Sequence, residues 1–138
     1  VQGITTNPTL LARAGRPAEE VMTELCKICP GTVFYQLTAN TVEERRAEGD
    51  RMLSLCPDQL GIKIPASTEN MSLVSYFSDK APVAVTALFG PAQAYLAIEA
   101  GASYVLPYVN RTTRLRGDGP ALVAAVSRPC AARISSGG

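Results

Sequence analysis

The sequence predicts an α/β fold built on a parallel sheet, and three observations carry that reading. Short runs rich in β-branched and aromatic residues alternate along the chain with longer runs of helical period. Isolated polar residues fall at the C-terminal ends of several of the strand-like runs, where barrel active sites gather. The 138 residues, 46% hydrophobic and 18% charged, have the size and makeup of one globular domain with a core.

The elements follow in order. "QGITTN" (2–7) is a short strand-like run ending in polar residues, and "RPAEEVMTELCKI" (16–28) is helical, with Pro17 near its first turn and its acids early. "CPG" stops that helix. "TVFYQL" (32–37) is a second strand, and "TVEERRAEGDRMLSL" (41–55) opens with Thr41 and Glu44 at capping-box spacing. "LGIKIP" (60–65) is a third strand, followed by "STENMSLVSYF" (67–77), whose Met71, Leu73, Val74 and Phe77 recur at roughly helical intervals. "PVAVTAL" (82–88) leads to "PAQAYLAIEA" (91–100), closed by Gly101. "SYVLPYV" (103–109) leads through a Gly- and Arg-containing loop to a short apolar helix near 120–127, and "ARISS" (132–136) begins a sixth strand.

Strands alternating with crossover helices imply a sheet that is either doubly wound or closed as a barrel. An open sheet would concentrate its polar residues at one switch point, whereas Asn7, Gln36, Lys63, Thr86 and Tyr108 are spread over five strand ends. This favours the barrel. The chain opens at Val1 and stops in "SSGG" as a strand should emerge, so residues 1–138 are expected to form a single, incomplete α/β-barrel domain, either part of a longer molecule or a fragment that folds poorly alone.

Charge and composition exclude several functions. Thirteen basic residues against twelve acidic ones give a formal net charge of +1, so no long-range field attracts nucleic acid or an anionic membrane. No apolar stretch approaches the roughly 20 residues of a membrane span. A cytoplasmic protein with small-molecule partners is the expectation. The chain has no histidine, which removes the commonest general base and zinc ligand and argues against hydrolase triads. Cys26 and Cys29 form a C-x-x-C at a helix's C-terminal end, where the dipole does not lower a thiol pKa. With Cys56 and Cys130 they read as structural thiols, too irregularly spaced for zinc; neither metal nor cofactor is expected.

Lys63, one of three lysines, stands between two isoleucines. Strand alternation turns Leu60, Ile62 and Ile64 toward the helices and Gly61, Lys63 and Pro65 the other way, into a barrel's interior. Burial there disfavours the ammonium, and the neutral amine is the nucleophile that attacks a carbonyl carbon. The competing reading pairs Lys63 with a buried carboxylate or lets it snorkel to water. Asn7, Gln36, Thr86 and Tyr108 around the same mouth, suited to a polyhydroxy substrate and an activated water, favour chemistry.

"GITTNPTL", "GIKIPAS" and "VTALFGPAQAYLAIEAGASYVLPYVNR", in that order, resemble the transaldolase family, particularly its small members and the fructose-6-phosphate aldolases. The similarity runs from about residue 2 to about residue 119. It implies a parallel (β/α)8 TIM-type barrel, of which about six β/α units, the second to seventh strands, are present, and a class I mechanism without metal. By resemblance Lys63 is the Schiff-base lysine, and Asn7 binds donor hydroxyls. Thr86 and Tyr108 position a catalytic water, and Arg111 binds the substrate phosphate, for which a guanidinium fork is suited. Ser136 or Ser135 stands near the family's phosphate-binding serine. Gln36 replaces the glutamate of true transaldolases and matches the aldolase type, shifting acid/base work to Tyr108 and the water. No residue stands for the family's first-strand aspartate.

The implied activity is aldol cleavage or transfer of a dihydroxyacetone unit from fructose 6-phosphate, releasing glyceraldehyde 3-phosphate, in a homo-oligomer. Alternatives are a true transaldolase and a noncatalytic sugar-phosphate binder. A flavodoxin-like phosphate module is disfavoured because "TTNPT" stands where its Gly-rich loop would be.

Overall fold

The computed structural model describes residues 2–136. Strands β1 (Gly3–Thr5), β2 (Thr32–Gln36), β3 (Leu60–Pro65), β4 (Val83–Leu88) and β5 (Tyr104–Pro107) alternate with helices α1 (Pro8–Arg13), α2 (Ala18–Ile28), α3 (Val42–Leu53), α4 (Met71–Ser78) and α5 (Pro91–Glu99), and helices α6 (Val109–Arg116) and α7 (Gly119–Ser136) follow. All strand pairs are parallel, and each strand lies beside the next, in the order β1-β2-β3-β4-β5. A doubly wound sheet reverses its order at a switch point; this one does not.

The sheet is also curled. β2 and β5 are three strand spacings apart, roughly 14 Å in a flat sheet. Yet Phe34 of β2 and Tyr104 of β5 meet edge to face with ring centroids 5.6 Å apart. They can do so because the strand between them that lies nearest Phe34 carries Gly61: a Cβ there would fall 2.5 Å from the Phe34 ring. The molecule is thus a five-stranded wall of a (β/α) barrel, with β1 and β5 as its edges.

The convex face carries the core. Val33, Tyr35, Leu37, Leu60, Ile62, Ile64, Val83 and Val85 pack against Met22 of α2, Met52 of α3, Leu73, Val74 and Phe77 of α4, and Ala94 and Ala97 of α5. Burying each large aliphatic or aromatic side chain contributes about 1.5–3 kcal/mol. Strand alternation therefore leaves Lys63 and its in-register neighbour Gln36 on the concave side.

Local signals explain most boundaries. The capping box of α3 is formed: Glu44 N donates to Thr41 Oγ1 (3.1 Å) and Thr41 N to Glu44 Oε2 (3.0 Å). The C-x-x-C straddles the end of α2, with Cys26 in its last turn and Cys29 as C-cap, and burial, with Cys56 alongside, pushes the Cys26 thiol up to about 12. All four cysteines are free.

Three expectations are corrected. Helix α1 was not anticipated, although Asn7 followed by Pro8 is a helix start: Asn7 Oδ1 accepts from Leu10 N at 2.9 Å. The expected loop after β5 is helix α6, closed by Gly117, whose φ of 83° provides a left-handed C-cap and whose N–H returns to Thr113 O. Residues 132–136, expected as a sixth strand, belong to α7, which extends the short helix expected near 120–127. The segment opens with alanine and arginine, both good helix formers, and holds a single β-branched residue, Ile134, so the helix continues through it. Five strands, not six, are present among the described residues. No described helix is long and apolar enough to cross a membrane.

Candidate active site

Asn7, Gln36, Lys63, Thr86 and Tyr108, from the ends of five different strands, line one cavity of about 540 Å³. The cavity opens at the carboxyl ends of the strands, where loops rather than ladder partners decide what approaches.

Lys63 is 6% exposed. Its Nζ donates to the main-chain carbonyl of Thr6, and among the described residues it forms no ion pair. Burial lowers its pKa from the ordinary 10.5, and no neighbouring carboxylate opposes that shift. Among the described residues no carboxylate pairs with Lys63, and at 6% exposure its side chain does not snorkel to water.

Thr86 faces the same cavity by strand alternation, two residues beyond Ala84, the in-register partner of Lys63, and a local irregularity in β4 follows it. Thr86 pairs with Leu106 and Leu88 with Pro107, so β4 carries one extra residue, Ala87, which sits at φ 62°. A regular strand would turn residues 86 and 88 to the same face. The bulge instead turns Leu88 to the opposite face, where it is fully buried in the core, while Thr86 lines the cavity. A non-glycine residue in the left-handed region costs on the order of 1 kcal/mol or more, and such strain concentrates where a side chain must be aimed.

Tyr108, N-cap of α6, is half-buried. Its ring stands edge-on to Phe89 at 5.6 Å, and the Arg111 guanidinium lies 5.0 Å from its centroid. Asn7 spends its carbonyl oxygen on the α1 cap, which leaves its amide hydrogens for a ligand.

The remaining expected residues sit elsewhere. Arg111 occupies the first turn of α6, not a loop, and lines a neighbouring cavity of about 400 Å³ with Arg114; Tyr108 borders both cavities. Ser136 lies in helix α7 instead of at a strand end, and its side chain, like that of Ser135, is outside the described positions. The structure therefore gathers five of the seven expected side chains, sets Arg111 next to them, and removes the strand context expected for Ser136.

Sequence reasoning missed two groups. Arg13, on the unanticipated α1, lines the Lys63 cavity. Glu48 of α3, 6% exposed, accepts from Tyr35 OH (2.8 Å), Thr38 N (2.9 Å), Thr38 Oγ1 (2.7 Å) and Ala39 N (3.0 Å), fixing the loop that follows Gln36. Burial alone would raise this carboxyl, but the Ala39 and Thr38 amides and the two hydroxyls hold it below the ordinary carboxylate range. Nothing in the sequence marks Glu48, one of four glutamates between residues 24 and 48, as the buried one. Among the described residues no cluster of three His, Cys, Asp or Glu side chains could hold a metal ion.

A sequentially ordered parallel wall with polar side chains gathered at its carboxyl ends defines an α/β-barrel protein. A family model described as Transaldolase/Fructose-6-phosphate aldolase matches residues 1–128. A probable transaldolase of Caulobacter vibrioides is 37% identical over 124 residues, covering 89% of this chain and 57% of that protein. One from Aquifex aeolicus is 38% identical with the same coverage, and one from Anaeromyxobacter dehalogenans 39% identical over 123 residues, 88% and 56% of the two chains. The chain belongs to the transaldolase/fructose-6-phosphate aldolase family. It spans little more than half the length of these curated relatives.

Proposed function

We propose that this chain carries the Schiff-base half of a class I aldolase that cleaves or transfers a dihydroxyacetone unit of a ketose phosphate such as fructose 6-phosphate. The observation that supports it most is Lys63: a buried amine without a carboxylate partner, in one cavity with Gln36, Thr86, Tyr108 and Asn7.

The neutral Lys63 Nζ attacks the ketone carbon to give a carbinolamine, and loss of water leaves an iminium conjugated to nothing but its own carbon skeleton. Breaking the C3–C4 bond sends that electron pair into the iminium, forming an enamine as the C4 hydroxyl gives up its proton and glyceraldehyde 3-phosphate departs. Protonation of the enamine and hydrolysis release dihydroxyacetone and restore the amine; capture by a second aldehyde completes a transfer instead. Gln36, an amide, orients the water but cannot take its proton, so Tyr108 acts through that water as acid and base, with Thr86 as a further hydrogen-bond partner. Asn7 donates to the donor's hydroxyls. No metal or organic cofactor is required by these steps. A soluble homo-oligomer in the cytoplasm completes the reading.

Borohydride reduction in the presence of dihydroxyacetone, followed by peptide mapping, tests it. A reduced adduct on the peptide containing Lys63 supports the proposal; absence of an adduct on any lysine overturns it, and leaves the sugar-phosphate binder.

Gln36→Glu supplies a carboxylate next to Lys63 in register. It is expected to raise the ratio of transfer to hydrolysis when an aldose phosphate acceptor competes with water; an unchanged ratio removes Gln36 as the determinant of reaction type. Arg111→Ala is expected to raise KM for fructose 6-phosphate by on the order of 10²-fold, the worth of a charge-assisted bidentate contact, and leave KM for dihydroxyacetone nearly unchanged. Equal effects on both substrates would show that Arg111 does not hold the phosphate.

A further inference from the structure

The carboxyl end of β3, which carries Lys63, is fastened from the side by Asn70 and Arg45, which line a neighbouring cavity bordered, like the Lys63 cavity, by Pro8 and Gln36. Asn70, just before α4, is 3% exposed. Its Nδ2 donates to the carbonyl of Pro65 at 2.9 Å, and its Oδ1 accepts from Arg45 Nη1 at 2.8 Å. Arg45, on α3, spends the rest of its guanidinium on Ala39 O (2.8 Å), Asn40 O (2.9 Å) and Glu69 Oε1 (2.7 Å). One side chain thereby ties the loop after β2 to the loop after β3, and only a planar fork with several donors can serve four acceptors in fixed directions.

The relay ends at a sensitive point. Pro65 is the next residue after Lys63 on the concave face and pairs in register with Thr86. The following amide, Ala66 N, donates to Thr86 O at 2.7 Å. On the other flank Leu37 N donates to Lys63 O at 3.0 Å, one residue beyond Gln36. The spacing among Lys63, Thr86 and Gln36 is therefore set by the last ladder bonds of β3, and strand ends are where ladders open first. Asn70 closes that end. It must donate and accept at once, which an amide does and a carboxylate cannot.

We propose that Asn70, oriented by Arg45, is a positioning residue that fixes the distance between the Lys63 amine and the water site at Thr86 and Gln36. This rests on the Lys63 reading given above. A shift of about 1 Å between nucleophile and partner groups is enough to cost rate without loss of binding.

Asn70→Asp separates the two bonds, because the isosteric carboxylate still accepts from Arg45 but cannot donate to Pro65 O. The test measures kcat and KM for fructose 6-phosphate together with amide exchange at Ala66. The expected result is a fall in kcat on the order of tenfold with KM unchanged, and exchange at Ala66 faster by a similar factor while Val33 and Val85 keep their protection. Arg45→Lys, which retains charge but loses the fork, moves both readouts in the same direction. An unchanged kcat overturns the proposal. So does faster exchange across all strands, which would make Asn70 a general stabiliser only. If the unaltered protein forms no borohydride-reducible adduct with dihydroxyacetone, the aldolase reading fails separately, and the Ala66 exchange alone decides whether Asn70 holds the end of β3.

Discussion

Lys63→Met is expected to lower kcat/KM for aldol cleavage by ~10⁴-fold, about 5.5 kcal/mol of transition-state stabilisation. Among the described residues no other amine lines the cavity with Lys63, so the covalent route has no substitute there. The fold should survive. Methionine fills a similar volume, and the substitution leaves one carbonyl, that of Thr6, without its partner, a cost of about 1–3 kcal/mol. Thermal melting and adduct formation read on the same sample separate the two effects: a variant that stays folded and still forms the adduct would remove Lys63 from the mechanism. In the unaltered protein, adduct formation should rise with pH through a value below 10.5, since only the free amine attacks. The same depression acts on stability. Between the lowered folded pKa and the unfolded one, the unfolded chain binds more protons, so the penalty of burying this ammonium, fully present at lower pH, is relieved as pH rises; Lys63→Met abolishes that slope.

Glu48→Ala is expected to destabilise the chain by about 3 kcal/mol, because it strands the buried Tyr35 hydroxyl and leaves the Thr38 and Ala39 groups that fix the loop after β2 to water alone. Glu48→Gln keeps the shape and loses the charge, and should cost about half as much. The sign of the pH dependence follows from the direction of the shift. A carboxylate held below its usual 4.5 stabilises the fold fully above that value, and the contribution disappears as pH falls through the lower folded pKa. Urea midpoints of the protein and of Glu48→Gln should therefore converge on acidification below 4.5. A gap that stays constant with pH would show that the network's charge carries none of the stability.

Much of this fold is legible because the signals are local. β3 was bounded correctly at residues 60–65 by one apolar run, the α3 start by one capping box, and the inward side of Lys63 by strand alternation alone. The errors are local too. The Asn7-Pro8 start of α1 is a signal in a stretch to which the sequence reading assigns no element, the Gly117 stop of α6 falls in a run expected as a loop, and "ARISS", expected as a strand, opens with alanine and arginine, which favour helix. The site was read partly through periodicity and partly through family likeness. That likeness supplied roles for Arg111 and Ser136, but could not say that Arg111 would open onto a second cavity beside Tyr108 or that residue 136 would be helical.

What the sequence determined by itself was the alternation of strands and helices, the face on which each side chain emerges, and the presence of one amine within an apolar strand. These depend on spacings of two and about 3.6 residues, which any reader of the chain can count. Only the tertiary structure decided that the sheet keeps sequential order and curls until Phe34 meets Tyr104, and that a bulge at Ala87 turns Leu88 to the face opposite Thr86. It alone decided, too, that Glu48 and Arg45 reach back from α3 to fasten the loops around Lys63. The reason is range. Those features are hydrogen bonds and contacts between different elements, from Arg45 with Ala39 six positions away to Arg45 with Asn70 25 away and Phe34 with Tyr104 beyond that, set by how strands stack and close, and no local pattern of residues encodes which of these groups will meet.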